Sequence, residues 1–241
     1  MTVVHLADFA APRLRGWPRL QAWLVDRIKR AALRQLHGSQ AGELLLLRIY
    51  LIGEEATEKT LQHELMPTAP AWLERQVQQH LREEQEHSEL FAAAMRERGM
   101  QPPAELRPDW LSRAKIRRWQ RIARRHAPHF QQGVLVPAYA IGLCAEQMAE
   151  RVLARHCAVL ATDHPLQPLL TRVLHDERKH VRLCMRTLGL SVSDAEMPRL
   201  QRMLAEARAV DRAFGVSGAV AMYLAGVLLR LRASWGASRS Q

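Results

Sequence analysis

Four long amphipathic segments of this chain carry glutamate and histidine at core-facing positions, and any fold must accommodate them. From residue 40 to about 66, Leu44, Leu47, Leu51, Glu54, Glu58, Leu61 and Leu65 recur at steps of three and four. From 71 to about 98 the stripe reads Leu73, Val77, His80, Glu84, His87, Phe91 and Ala94. A third, 134 to about 160, carries Tyr139, Leu143, Glu146, Ala149, Leu153, Cys157 and Leu160, and a fourth carries Leu170, Val173, Glu177, His180, Cys184 and Leu188. Residues so spaced share one face of an α-helix. Each segment therefore predicts a helix whose buried stripe includes ionisable groups, and an unpaired carboxylate there would suffer a desolvation cost of several kcal/mol.

Punctuation between the segments supports an all-α chain. His37-Gly38-Ser39 ends a basic helix over about 20–36 and caps the next. The run Met66 to Pro70 turns the chain, so the first two segments form an antiparallel hairpin; Gly99, Pro102 and Pro103 close the second. Strand-like β-branched alternation is scarce. Residues 1–38 read as a basic amphipathic N-terminal unit, 39–190 as a four-helix unit interrupted by a basic insertion at 107–132, and 191–241 as C-terminal helices. The last part holds an amphipathic stretch from Pro198 and then seventeen uncharged residues, Ala213 to Leu229, marginal for a bilayer span. Glycines 215, 218 and 226 within it favour close helix packing.

Metal coordination would offset the desolvation. Glu84/His87 and Glu177/His180 are Glu-x-x-His pairs, placing both side chains on one helical face; Glu54 and Glu146 add one carboxylate from each remaining segment. Four carboxylates and two imidazoles are what two iron or manganese ions use in a bundle core. Depth agrees: Glu54 lies 14 residues before Thr68 and Glu84 16 after it, and the Glu54–Glu84 separation of 30 is close to the 31 between Glu146 and Glu177. Glu43 competes for the first position, but 11 residues of unbroken helix would put it about 16 Å from Glu54, so Glu54 is favoured. His80 reads as a packed neighbour of the site, Glu58 as a solvated or ion-paired position, and Cys144, Cys157 and Cys184 as small buried hydrophobes.

In these strings the chain resembles the ferritin-like di-iron carboxylate proteins, most closely the demethoxyubiquinone hydroxylases of ubiquinone biosynthesis. Gly42-Glu43 with Arg48-Ile49-Tyr50, Glu84-Gln85-Glu86-His87, Ala145-Glu146-Gln147 and Asp176 to His180 carry the resemblance, over about residues 39–188. It implies a ferritin-like antiparallel four-helix bundle with extra N-terminal, connecting and C-terminal helices. It implies two irons, with dioxygen as co-substrate for hydroxylating an apolar substrate, and Asp176 orienting His87. The Glu43 string departs from the pattern, standing 41 residues before Glu84 where the family has about 30. A second resemblance, to tRNA hydroxylases acting on an isopentenyl-adenosine, rests on Glu83 to His87 and Arg96 to Gly99.

A formal charge of +11, from 35 basic and 24 acidic residues, points to anionic partners: phospholipid head groups or RNA. Three scattered cysteines and no apolar leader in Met1 to Trp17 suggest a reducing, cytoplasmic setting, peripheral to the inner membrane face if lipid is the partner. Without a Gly-x-Gly-x-x-Gly fingerprint, electrons would come from a separate donor or reductase. A ferritin-like iron- or peroxide-handling oligomer is the third reading.

Overall fold

The computed structural model describes residues 9–11, 13–102 and 108–237, with side chains as far as 232. The leader reading at Met1 to Asp8 and Pro12, and the positions of Pro103 and Arg107, lie outside them. Seven α-helices and no strand occur among the described residues: α1 Trp17–Leu36, α2 Gln40–Thr60, α3 Ala71–Glu97, α4 Trp110–His126, α5 Leu135–Cys157, α6 Gln167–Ser191 and α7 Met197–Ala237. The Ser39 hydroxyl accepts the Gly42 amide at 3.1 Å to start α2, and Asp109 accepts the Leu111 and Ser112 amides to start α4. Gly99, at φ 77°, follows α3 in a conformation that favours glycine.

Cross-helix contacts give the directions. Glu43–Arg98 and Glu58–Gln85 set α2 antiparallel to α3. Gly142–Cys184 and Glu150–Arg178 do the same for α5 and α6, Glu83–His180 and Glu86–Arg172 for α3 and α6. Thus α2 and α6 run one way and α3 and α5 the other. Two apolar clusters form the interior. One contains Leu44, Leu47, Leu51, Phe91, Leu153, Leu170 and Val173; the other contains Leu61, Val77, Trp119, Tyr139, Leu143, Cys184 and Leu188. On all four helices buried glutamates, joined by histidines on α3 and α6, fall between these clusters as a polar layer within the core.

Several expectations need correction. The second segment does not stay α-helical to Met66: Leu61–Leu65 widen into a π-turn and Met66–Thr68 tighten into a 3₁₀ turn. Pro67 has no amide to donate, and the Thr68 hydroxyl donates instead to the Glu64 carbonyl at 2.8 Å. The C-terminal stretch is one 41-residue helix, because no proline interrupts it after Pro198. Of glycines 215, 218 and 226 only Gly226 makes a close approach, against Gln35 of α1; Gly215 and Gly218 have nothing within 4 Å. In α1 the apolar side is buried only at Ala32, Leu33 and Leu36, whereas Trp17, Leu20, Trp23 and Leu24 are exposed. α1 and α7 lie together and leave this end uncovered.

The α1–α2 corner depends on Gly42, where a Cβ would sit 2.0 Å from the Leu36 carbonyl oxygen, whereas one at Gly53 would meet nothing within 4 Å. Gly42→Ala should cost about 3 kcal/mol and Gly53→Ala should stabilise by up to about 1 kcal/mol. Opposite shifts in thermal midpoint, followed by circular dichroism, are the expected result.

Candidate metal centre

At mid-depth between the two apolar clusters, α2 presents Glu54, α3 presents His80, Glu84 and His87, α5 presents Glu146, and α6 presents Glu177 and His180, all buried. Two groups of these could each hold a metal ion: Glu54, Glu84, His87 and Glu177, and His80, Glu84, Glu146 and His180, with ligand atoms within 4.8 Å of one another in each group. Glu84 belongs to both. The structure thus brings together all six residues proposed as ligands from the sequence.

Each histidine of the Glu-x-x-His pairs is held from behind by a carboxylate on the facing helix. His180 Nε2–H donates to Glu83 Oε2 at 2.8 Å, and His87 Nε2–H donates to Asp176 Oδ2 at 3.4 Å. The Nδ1 atoms therefore face inward, His87 Nδ1 at 3.4 Å from Glu54 Oε2 and His180 Nδ1 at 3.1 Å from Glu84 Oε1. That second contact lies outside hydrogen-bond geometry, and Glu177 Oε2 has no partner at all. Buried lone pairs left facing a common space fit a cation better than they fit each other.

Electrostatics agree. Burial, then the charge of Glu84, holds Glu54 far above the usual carboxylate range. Burial, then Glu146 and Glu54, does the same to Glu177. Burial would also raise Glu84, but the His180 and His80 imidazoles hold it well below. Burial opposes the imidazolium of His180, yet Glu83 and Glu84 outweigh it and push the group up to about 10. Without cations the site is neutralised by protons; two divalent cations would match its four carboxylates charge for charge.

The sequence reading gave Glu83 no part in the site and placed His80 beside it. Glu83 precedes Glu84 as Asp176 precedes Glu177, so the repeated acidic pair was a usable signal. His80 is not merely adjacent: its Nε2 lies 3.0 Å from Glu84 Oε1 and 3.6 Å from Glu146 Oε1, and its ring stands 3.8 Å from that of His180. The second half of the site offers no counterpart, since the position four before Glu177 is Val173. On the His80 side a cavity of about 210 Å³ opens, walled by Leu61, Leu65, Ile116, Trp119 and Ile141 and reaching Glu146.

Glu43 lies elsewhere, in a cluster with His37, His164 and Arg98. Its hydrogen bonds close without a metal. The Tyr50 hydroxyl donates to His156 Nδ1 at 2.7 Å, His156 Nε2–H to His37 Nε2 at 2.5 Å, and His37 Nδ1–H to Glu43 Oε1 at 3.1 Å. The Leu166 amide donates to His164 Nδ1, leaving His164 Nε2–H for Glu43 Oε1, and Arg98 Nε–H takes Glu43 Oε2 at 2.7 Å. Every donor meets an acceptor with neutral imidazoles and an ionised Glu43.

No family model, curated protein or solved structure matches this chain.

The histidine chain has a pH consequence. Burial, then the neighbouring His37 and His164, lowers His156 from 6.5 to about 3. A folded value below the unfolded one contributes stability that is complete above pH 6.5 and is lost as pH falls from there towards 3. Between pH 7 and 5 this residue should withdraw about 2 kcal/mol. His156→Gln should flatten that part of the stability profile, measured by urea unfolding across the same range.

Proposed function

We propose that the chain is a ferritin-like di-iron monooxygenase that uses dioxygen to hydroxylate an apolar substrate, a quinone precursor among the candidates, at an anionic membrane surface. The observation that carries this reading is the place of Glu84 in both buried ligand groups, where it would serve two cations at once. Glu54, His87 and Glu177 would complete one side, and Glu146 and His180 the other. Iron suits four carboxylates with two imidazoles, and manganese is the other metal that such a set accepts. The helix directions support a ferritin-like bundle, because the α3 to α5 connection, which contains α4, joins two parallel helices and must cross the bundle's length.

Two irons bound there would supply the reductive activation of dioxygen, with an electron pair delivered by a separate donor. The chain's own contribution is placement. Glu83 and Asp176 accept the imidazole Nε2–H protons and so keep the Nδ1 lone pairs aimed inward. Leucine and valine above and below the polar layer exclude water. The apolar cavity beside Glu146 leaves room for substrate.

A membrane surface is favoured by α7, long and apolar enough to cross a bilayer yet with 11% of its most apolar window buried. Exposed Trp17, Leu20, Trp23 and Leu24 of α1 add aromatic and aliphatic anchors among arginines. The tRNA reading draws on α4, whose exposed Arg117, Arg121 and Arg124 stand on the helix that walls the cavity.

Elemental analysis of iron-supplied protein tests the centre: about two irons per chain are expected, and Glu84→Ala should retain fewer than half of them while staying folded. Stoichiometric iron in the variant, or none in the parent, overturns the reading. Sedimentation with phosphatidylglycerol vesicles should recover the protein, and Trp23→Ser with Leu24→Ser should weaken recovery; retention by tRNA and not by vesicles would favour the RNA substrate.

A further inference from the structure

A second cavity, of about 240 Å³, lies between α1, α5 and α7, and none of the proposed metal ligands lines it. Its walls are basic. Lys29 of α1, Arg151 and Arg155 of α5, and Arg208 and Arg212 of α7 stand against one carboxylate, Asp211. Both oxygens of that carboxylate are taken: Oδ1 accepts Lys115 Nζ at 2.6 Å and Oδ2 accepts Arg151 at 2.9 Å. Arg155 donates to Asp26 Oδ1 at 2.7 Å, and Arg30 takes the other oxygen at 2.6 Å. Arg208 reaches only neutral acceptors, the Phe9 carbonyl at 2.7 Å and the Gln147 side chain at 3.4 Å, and its Nε is buried without a partner. Lys29 and Arg212 have neither an ion pair nor a side-chain hydrogen bond among the described residues.

Three cationic groups thus share one cavity without a carboxylate of their own. Burial, then Arg155, pushes the Lys29 ammonium down to about 8; Asp211 opposes the shift, and Lys115 and Arg151 add to it. A half-buried cation among like charges is unfavourable until an anion joins it. The donors stand on separate helices, so they approach a common space from several directions. A tetrahedral phosphate presents oxygens in all of those directions and matches guanidinium forks, whereas a carboxylate offers two oxygens in one plane. The surroundings suit a phosphate that carries an apolar body. Leu14, Val25 and Met148 also line the cavity, exposed Trp23 and Leu24 stand between the lining residues Ala22 and Val25, and the uncharged run of α7 begins at Ala213, directly after Arg212.

We propose that this cavity binds a phosphate group, presented by the head of an anionic phospholipid or free in solution, with Lys29, Arg208 and Arg212 as its donors. The site goes beyond the monooxygenase reading and does not depend on it, since none of its residues belongs to the metal centre. An anion there gives the three unmatched cations the counter-charge that no carboxylate of the described residues supplies. With lipid as the source, the site sets the start of the uncharged run of α7 at the level of the head groups.

Calorimetric titration of the full chain with inorganic phosphate tests this, after chelation and at a constant ionic strength of about 0.1 M so that general screening is fixed. One saturable site is expected. Lys29→Met with Arg212→Met should weaken it by about tenfold or more. Arg117→Gln with Arg121→Gln removes as many charges from the exposed face of α4 and should alter the affinity by less than about twofold. Gly215→Leu keeps every charge but takes up cavity space; a Cβ at Gly215 meets nothing within 4 Å, so this variant should fold and lose phosphate, and it keeps the test available if the double variant does not fold. Flotation with vesicles of phosphatidylglycerol in phosphatidylcholine separates the two sources. Recovery that falls in Lys29→Met with Arg212→Met but not in the α4 pair assigns the site to the lipid head group, and recovery equal to the parent's assigns it to free phosphate. No saturable phosphate binding in the parent, affinity that survives both the cavity pair and Gly215→Leu, or an equal loss in the α4 pair would overturn the proposal. Iron content, read before chelation, bears on the metal centre alone.

Discussion

Burying four carboxylates side by side is the constraint around which this molecule is organised. In a low-dielectric interior, adjacent carboxylates cannot all ionise, and burial together with mutual repulsion drives Glu54 and Glu177 towards protonation. Chains seldom retain such a layer, because aliphatic residues of equal volume would be at least as stable. Here the layer divides the interior into two apolar clusters and takes one or more members from each of α2, α3, α5 and α6. Cations are the simplest means of satisfying it, and every other feature of the core is compatible with their presence.

The layer has approximate twofold repetition. Glu83-Glu84-x-x-His87 and Asp176-Glu177-x-x-His180 face each other on antiparallel helices, each acidic leader holding the histidine of the opposite motif. Repetition ends at His80, matched in the second hairpin by Val173. On that side the π-turn after α2 and the narrow apolar face of α4 enclose a cavity, whereas the Val173 side is filled by Leu170, Leu174 and Phe91. A cavity thus adjoins one side of the layer, and apolar side chains fill the other.

Outside the core, charge and hydrophobicity are divided between helices. α4 keeps Trp119 and Ile122 inward, with the Trp119 indole donating to the Ala207 carbonyl of α7 at 3.0 Å, and turns most of its arginines outward. Lys115 is the exception, paired with Asp211 at 2.6 Å and set over the Trp119 ring. Apolar residues of α1 and α7, among them Trp17, Leu20, Leu224 and Leu228, are exposed. Such a surface is costly in water and favourable at a lipid boundary.

Local periodicity was sufficient to determine the helices, the ligand candidates and their common depth, because a 3.6-residue repeat dictates which side chains share a face and rise per residue dictates how far along they lie. The choice of Glu54 over Glu43 followed from that arithmetic, and Glu43 does stand in a separate hydrogen-bonded cluster. Periodicity could not reveal that His80 reaches Glu84 and Glu146, that Glu83 crosses to His180, or that the second segment opens into a π-turn, since each depends on what the neighbouring helix presents. The same holds at the surface: which turns of the apolar side of α1 are covered was decided by packing, which buries Ala32, Leu33 and Leu36 and leaves the first two turns exposed. A sequence determines which groups must leave water together; only the tertiary arrangement decides which of them face one another, and hence which atoms remain without a partner.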